Sequence, residues 1–564
     1  MEAVPKQVEP KQVEKDPFRC VRAGLFLIAA ILSFTIAVPA QGQFVCGGST
    51  NGAEPQAGGG ATASGSAFNF ACGTNANASG TNSSNSAIGN NANASGDSSG
   101  NTATGAFANA SGNNSLNTAT GISSDAHGVS SANVATGNQA NASGDDSKNV
   151  ASGSAADAHG DTSRNIATGA FANAGGNASQ NIVTGNEANA SGNGSTNIAT
   201  GNAADAHGIT STNIATGASA NASGDGSANI AAGQNANAGG SDSSNIAVGR
   251  AADAGGGLSS SNVAIGESAR AVGSHSSGNT ALGAFADASG NFGDNTALGP
   301  HTDATGSNST NLAAGANANA SSASFGENTA LGSNSNASGF HGVNTATGAG
   351  ANASGDDGFN TAIGRASDAH GFSSDNVAAG NAADAHGDGS NNVAAGALSN
   401  ASGGGSHNIA IGNQSDAHGA AGLNVAVGAF SSAGGAGSFN TAIGASANAS
   451  GEGTANWAGG ARANASGTLG SNSATGSDSD AHGDNSANSA YGELSNASGL
   501  ASNNTATRLA SQRQRQRQQQ YREWGPSQRQ RPGQRQHRGG RVQQRQRRWR
   551  VQYRGRVWGQ RERQ

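Results

Sequence analysis

Asn101-Thr-Ala-Thr-Gly105-Ala-Phe-Ala108-Asn-Ala110-Ser-Gly112-Asn-Asn-Ser-Leu116 is one copy of a unit that repeats along most of this 564-residue chain. The Asn returns at Asn85, Asn101, Asn117, Asn133 and onward to Asn504, nearly always sixteen residues apart, giving 27 such positions and 26 complete units. A fixed period of this length marks an array of stacked units. With the Asn as position 1, Ala holds position 10 in all 26 units; position 8 is Ala or Ser apart from Thr302, and position 3 is Ala apart from Val183. Side chains of a strand alternate between its faces, so positions 8 and 10 share a face. A face that admits only small groups is tightly enclosed. Ala110 and Ala142 therefore line the inside of a thin coil.

Positions 2 and 4 point the opposite way from position 3 and carry larger residues, among them Ile166, Ile198, Ile214, Val263 with Ile265, and Val425 with Val427. These β-branched side chains suit a strand and are too large for the space that holds the alanines. They form a second apolar face outside the coil, which reads as an oligomer interface because a lone soluble chain rarely keeps such a patch. Positions 9 and 11 are mostly Asn or Asp followed by Ser, Gly or His and read as a solvated face. Gly stands at position 5 of every complete unit, as at Gly105, and at position 12 of all but one, as at Gly112, with Ser322 the exception. Glycine permits the sharp turns that a narrow winding needs.

Each unit is thus strand, turn, strand, turn. The predicted fold is all-β, a parallel β-roll or β-solenoid of about 27 sixteen-residue rungs. Asn101, Asn117 and their equivalents are expected to form a hydrogen-bonded ladder along it. Three units, beginning at Asn245, Asn262 and Asn311, have 17 residues, and the extra residue fits after position 12. At roughly 4.8 Å per rung the rod would be on the order of 130 Å long, stabilised between neighbours rather than by a globular core.

Units such as Asn408-Ile-Ala-Ile-Gly412, closed at Gly419, and Asn424-Val-Ala-Val-Gly428 resemble the head repeats of the trimeric autotransporter adhesins, the YadA-like or haemagglutinin-repeat family. The resemblance covers about residues 75–507. It implies a left-handed β-roll, a homotrimer about a common axis, and attachment to a host matrix, a cell-surface receptor or other cells. It also implies the cell surface or outer membrane of a Gram-negative bacterium, or secretion, with a role in virulence. The number three comes from the resemblance; the exposed apolar face by itself asks only for a partner. The units are somewhat longer than the family's usual repeat.

Residues 1–40 read as a signal peptide with an extended n-region: a charged stretch to residue 24, an apolar run over 25–38, and Ala40 as a small residue for cleavage. The run of about 14 apolar residues falls short of the roughly 20 that span a bilayer. Residues 41–84 form a Gly-rich N-terminal leader or cap with Cys46 and Cys72, which either close a disulfide in an oxidising compartment or remain two free thiols. Residues 85–507 are the repetitive head. Composition alone, with 90 Gly and 11% charged residues, would suggest disorder. A disordered chain has no reason to keep Ala and Gly in strict phase.

Residues 508–564 are different. They carry 18 Arg and two Glu, about +16, against −22 for the residues before them, within the chain total of −6. This Arg/Gln-rich segment is expected to be disordered and has neither the heptads of a coiled-coil stalk nor the strands of a barrel anchor, with which the family's members end. It reads as a binder of anionic surfaces, as a solvated tail, or as an ending foreign to the gene, the last being favoured. No specific nucleic acid is indicated.

No catalytic or cofactor motif occurs: no nucleophile elbow, phosphate loop, Cys-x-x-Cys or His-Glu-x-x-His. The chain is therefore expected not to be an enzyme. Seven units carry Asp-Ala-His at positions 9 to 11, ending at His127, His159, His207, His370, His386, His418 and His482. His370 and His386 fall on successive rungs, but no closed set of four ligands repeats, so these residues read as a solvated face rather than a metal site. The expected function is a secreted or cell-surface adhesin head. Alternatives are a structural or ice-binding solenoid, given Thr-x-Thr pairs such as Thr102 with Thr104, and a disordered Gly-rich secreted protein.

Overall fold

Each Asn heads a three-residue strand at positions 2–4, from β3 (Ser86–Ile88) and β4 (Thr102–Thr104) to β28 (Ser489–Tyr491), with a two-residue β29 (Thr505–Ala506) closing the series. The computed structural model describes residues 47–48 and 59–507. From β2 (Phe70–Cys72) onward every strand pairs in parallel with the next in sequence, and in register: Thr102 faces Thr118, Ala103 faces Ala119, Thr104 faces Thr120. The fold is a parallel β-solenoid, as the period predicts. No helix occurs among the described residues.

The inward columns are closed to solvent: Ala103, Ala108 and Ala110 are 0% exposed, and their equivalents along the rod are at most 4% exposed. Among the described residues Val183 is the only buried apolar side chain larger than Ala. So thin a core offers little apolar area per rung, and the backbone carries the stack instead. In the Asn101 unit the N–H groups of Thr102, Gly105, Phe107, Asn109, Ala110, Gly112, Asn114 and Leu116 all donate to carbonyls of an adjacent rung at 2.7–2.9 Å. Inter-rung bonding therefore continues through the turns. The second strand is shorter than expected, a single bridged residue at position 9, as in Asn93 to Asn109 to Asp125. Left-handed residues at positions 7 and 14, such as Phe107 (φ 57°) and Asn114 (φ 55°), curl the chain on either side of it.

The Asn ladder exists, but it runs from side chain to backbone. Asn101 Oδ1 accepts the N–H of Asn117 at 3.0 Å and the hydroxyl of Ser115 at 2.8 Å, while its Nδ2 donates to the carbonyl of Gly112 at 2.9 Å. Ser115 stands at position 15, which is likewise buried. The amide thus ties the first strand to the second turn across the interior and to the rung above. A buried amide satisfied in this way avoids the penalty that an unpaired polar group would carry.

Both glycine columns have a reason beyond turning. At Gly105 (φ 136°) and Gly112 (φ 153°) an added Cβ would collide with the carbonyl oxygens of Gly121 and Gly128 on the next rung. Ser322, the exception, stands in a unit that has Gly326 where most others have the position-15 Ser, and Ser322 Oγ accepts from the Asn311 amide at 3.2 Å. In the 17-residue units at Asn245 and Asn262 the extra residue lies after position 12, where two consecutive left-handed residues absorb it, Leu258 (φ 58°) with Ser259 (φ 66°) and His275 (φ 63°) with Ser276 (φ 61°).

The winding starts before Asn85. Asn69 already heads a complete rung, with Ala76, Ala78 and Ser83 buried and its amide donating to the Gly80 carbonyl at 2.8 Å. The part of the leader from residue 59 therefore belongs to the solenoid. A short strand β1 (Gly47–Gly48) lies antiparallel on β2 and covers the first edge, an edge that would otherwise invite pairing. Cys72 is disulfide-bonded. Cys46 lies outside the described residues, next in sequence to Gly47, which stands opposite Ala71. The expected export signal within residues 1–40 and the basic segment of residues 508–564 also lie outside them.

Candidate functional site

Two faces of the rod carry side chains available for contact. The first is the outer side of the strands. There β8 (Ile166–Thr168), β10 (Ile198–Thr200), β11 (Ile214–Thr216), β14 (Val263–Ile265) and β24 (Val425–Val427) turn Ile166, Ile198, Ile214, Val263, Ile265, Val425 and Val427 away from the alanine core. Exact register stacks them in two files, so Ile198 sits over Ile214. Ile166 is 38% and Ile265 41% exposed in the single chain. The files are not uniform. From β4 through β11, position 4 is a hydroxyl on every rung, Thr104 to Thr216 with Ser152 among them; from β14 it is mostly Ile, Leu, Val or Ala until Trp457 interrupts position 2.

The second face is built on positions 9, 11 and 13. Position 9 forms its own side-chain ladder outside the coil: Asn93 Nδ2 donates to Asn109 Oδ1 at 3.2 Å and Asn109 Nδ2 to Asp125 Oδ1 at 3.1 Å. Position 11 folds back on it, as where the Ser111 hydroxyl donates to Asn109 Oδ1 at 2.8 Å. At position 13 an acidic side chain accepts the backbone N–H of the rung before, as Asp145 does from Val129 at 2.8 Å and Asp356 from Phe340 at 2.8 Å. Along this edge Ser321, Ser338, Phe340, Asp356 and Phe372 line a shallow open groove. Positions 13 and 15 escape a sequence reading, because strand alternation cannot be counted through a turn containing left-handed residues. Their recurring Asp and Ser were the only signal.

In each Asp-Ala-His rung the His Nδ1 lies on the Asp carboxylate two residues earlier, at 2.5–2.7 Å. That hydrogen bond holds the imidazoles of His127, His159 and His418 above their ordinary range, opposed by partial burial. His370 and His386 are brought together as their spacing predicts. Their rings stack with centroids 5.0 Å apart and planes 1° from parallel. Carboxylate oxygens of Asp368 and Asp384 and a ring nitrogen of His386 lie within 4.8 Å of one another.

Among the described residues no helix is long and apolar enough to cross a membrane. Comparisons with protein-family models, with characterised proteins and with solved structures find no match for this chain. The class that the coordinates define is the parallel β-solenoid.

Proposed function

We propose that this chain is the head of a secreted or cell-surface adhesin, a long display rod that assembles with copies of itself, three by resemblance, and presents its polar face to a host matrix or cell-surface receptor. The observation that supports this reading is the continuous pair of outward files at positions 2 and 4. A self-contained winding needs no apolar side chains there, yet Ile and Val recur for most of its length. Burying them between copies removes that surface from water at about 25 cal/mol per Å² of apolar area. The polar face and second turns stay free for contact, with binding spread over many rungs.

Sedimentation of the purified chain tests the assembly. A trimer is expected, and Ile214→Lys with Ile230→Lys, two adjacent rungs on one file, should shift it to smaller species with the β-sheet circular dichroism retained. A stable monomer with unchanged melting would remove the interface. Binding of the assembled rod to immobilised matrix proteins tests the adhesive role separately.

A second reading draws on the unbroken hydroxyls from Thr104 to Thr216. A flat, regular array of threonines beside β-branched residues suits an ordered water layer, and thus ice. Thermal hysteresis by a monomeric species would favour this reading over the adhesin.

A further inference from the structure

Seven rungs carry Asp-Ala-His, but only two of them are neighbours. A carboxylate can only accept a hydrogen bond, so the short contacts of His370 Nδ1 with Asp368 (2.6 Å) and His386 Nδ1 with Asp384 (2.5 Å) place a proton on each Nδ1. Each ring is thereby left with its lone pair on Nε2. This is the arrangement in which a carboxylate orients a histidine toward a metal and strengthens it as a donor. Both backbones are held by the solenoid, since the Asp368 N–H donates to Ala383 and the Ala385 N–H to Asp368, at 2.8 and 2.7 Å. Both side chains are less than half exposed yet open to water, 44% and 43%.

We propose that the paired rungs at Asp368, His370, Asp384 and His386 bind one divalent cation of the borderline class, Zn2+, Ni2+ or Cu2+, through the two Nε2 atoms. Imidazole suits these ions, whereas Mg2+ and Ca2+ favour oxygen ligands. The Nε2 lone pairs lie in ring planes that are 1° from parallel with centroids 5.0 Å apart, so metal–nitrogen bonds of about 2.0–2.1 Å require both rings to rotate out of the stack until their tips converge on one ion. Water completes the shell on the open side. The carboxylates are positioning residues that fix the rings and offset the charge of the ion. The five other Asp-Ala-His rungs have the same local geometry but no adjacent twin, so each supplies one imidazole and holds no ion at the same concentration.

The test is calorimetric titration of the full chain, prepared without a histidine tag, with Ni2+ and with Zn2+. One saturable site per chain is expected. His370→Ala and His386→Ala should each weaken it at least tenfold, while His207→Ala, in a solitary rung, leaves it unchanged. Asp384→Asn should weaken it by about 10–100-fold with the melting of the rod unaltered. A gain-of-function variant makes the idea independent of any loss of fold. Asn141→Asp with Ser143→His fills the rung between His127 and His159 with a sequence that the lattice already accepts elsewhere, and should raise the stoichiometry to two. The proposal is overturned if no saturable binding occurs, if the number of ions follows the seven Asp-Ala-His rungs, or if the double His370→Ala, His386→Ala chain binds as the parent does.

Discussion

Asn117 donates from Nδ2 to the carbonyls of Ser111 (3.2 Å) and Gly128 (2.9 Å) and accepts at Oδ1 from the Ser131 hydroxyl (2.8 Å) and the Asn133 N–H (3.0 Å). The Asn117 side chain and Asn133 are closed to solvent. In Asn117→Ala the Asn133 N–H, itself 0% exposed at the residue level, loses its acceptor, and each buried group so orphaned costs about 1–3 kcal/mol. Hydrogen exchange should therefore show loss of protection at Asn133, with little change ten rungs away. Unchanged exchange at Asn133 would mean that the amide is not the tie described. The period marked Asn117 as special, and the strict Ala at Ala110 placed that residue inside. What the period could not say was the amide's partner. The Ser at position 15 recurs in most units, with Gly in others and Thr454 in one, but it follows a turn whose dihedrals determine which way it points.

At the scale of the rung, the glycine columns and the alanine phase were legible because each reflects a steric limit repeated many times. The length of the second strand was not. Left-handed residues at positions 7 and 14 range from Phe, Asn, Ser and Ala to Gln139, Thr162, Leu398 and Arg462 in different rungs, so no residue type announces them, and they shorten the extended stretch to one bridged residue. The Asp-Ala-His rungs add a titration. The hydrogen bond that the His127 ring donates to Asp125 raises the imidazole above its usual 6.5. A group raised on folding stabilises the native state fully below its unfolded value and loses that contribution as pH rises through the folded one. Stability should thus be slightly higher just below pH 6.5 than at alkaline pH, and only slightly, since the pair is half-exposed and screened by salt. NMR titration should find His127 above 6.5, and Asp125→Asn should bring it down. A titration unaffected by that change would assign the shift to something other than the carboxylate.

The whole rod joins these local rules end to end. Its limits were the least legible part: Phe70 and Cys72 occupy positions 2 and 4 of the Asn69 rung in place of the usual Thr, Val or Ile, and they hid a rung that the structure shows complete. An oligomeric partner of the kind proposed would leave no mark within one chain beyond the outward files. Because each rung bonds only to the rungs above and below, energies should add along the axis as nearest-neighbour terms. Removing residues 197–244, three units of sixteen, would bring Asn245 directly after Thr196. Every column would stay in phase: Asn181 Oδ1 would receive the Asn245 N–H in place of that of Asn197, and Ile246 would stack on Ile182. Small-angle scattering should then report a rod shorter by about 15 Å, with a melting temperature close to that of the parent. Removal of residues 197–240 instead leaves four residues that fit no circuit and must loop out at the join between rungs. Comparable melting of both variants would show that the sixteen-residue phase is not what holds the stack together.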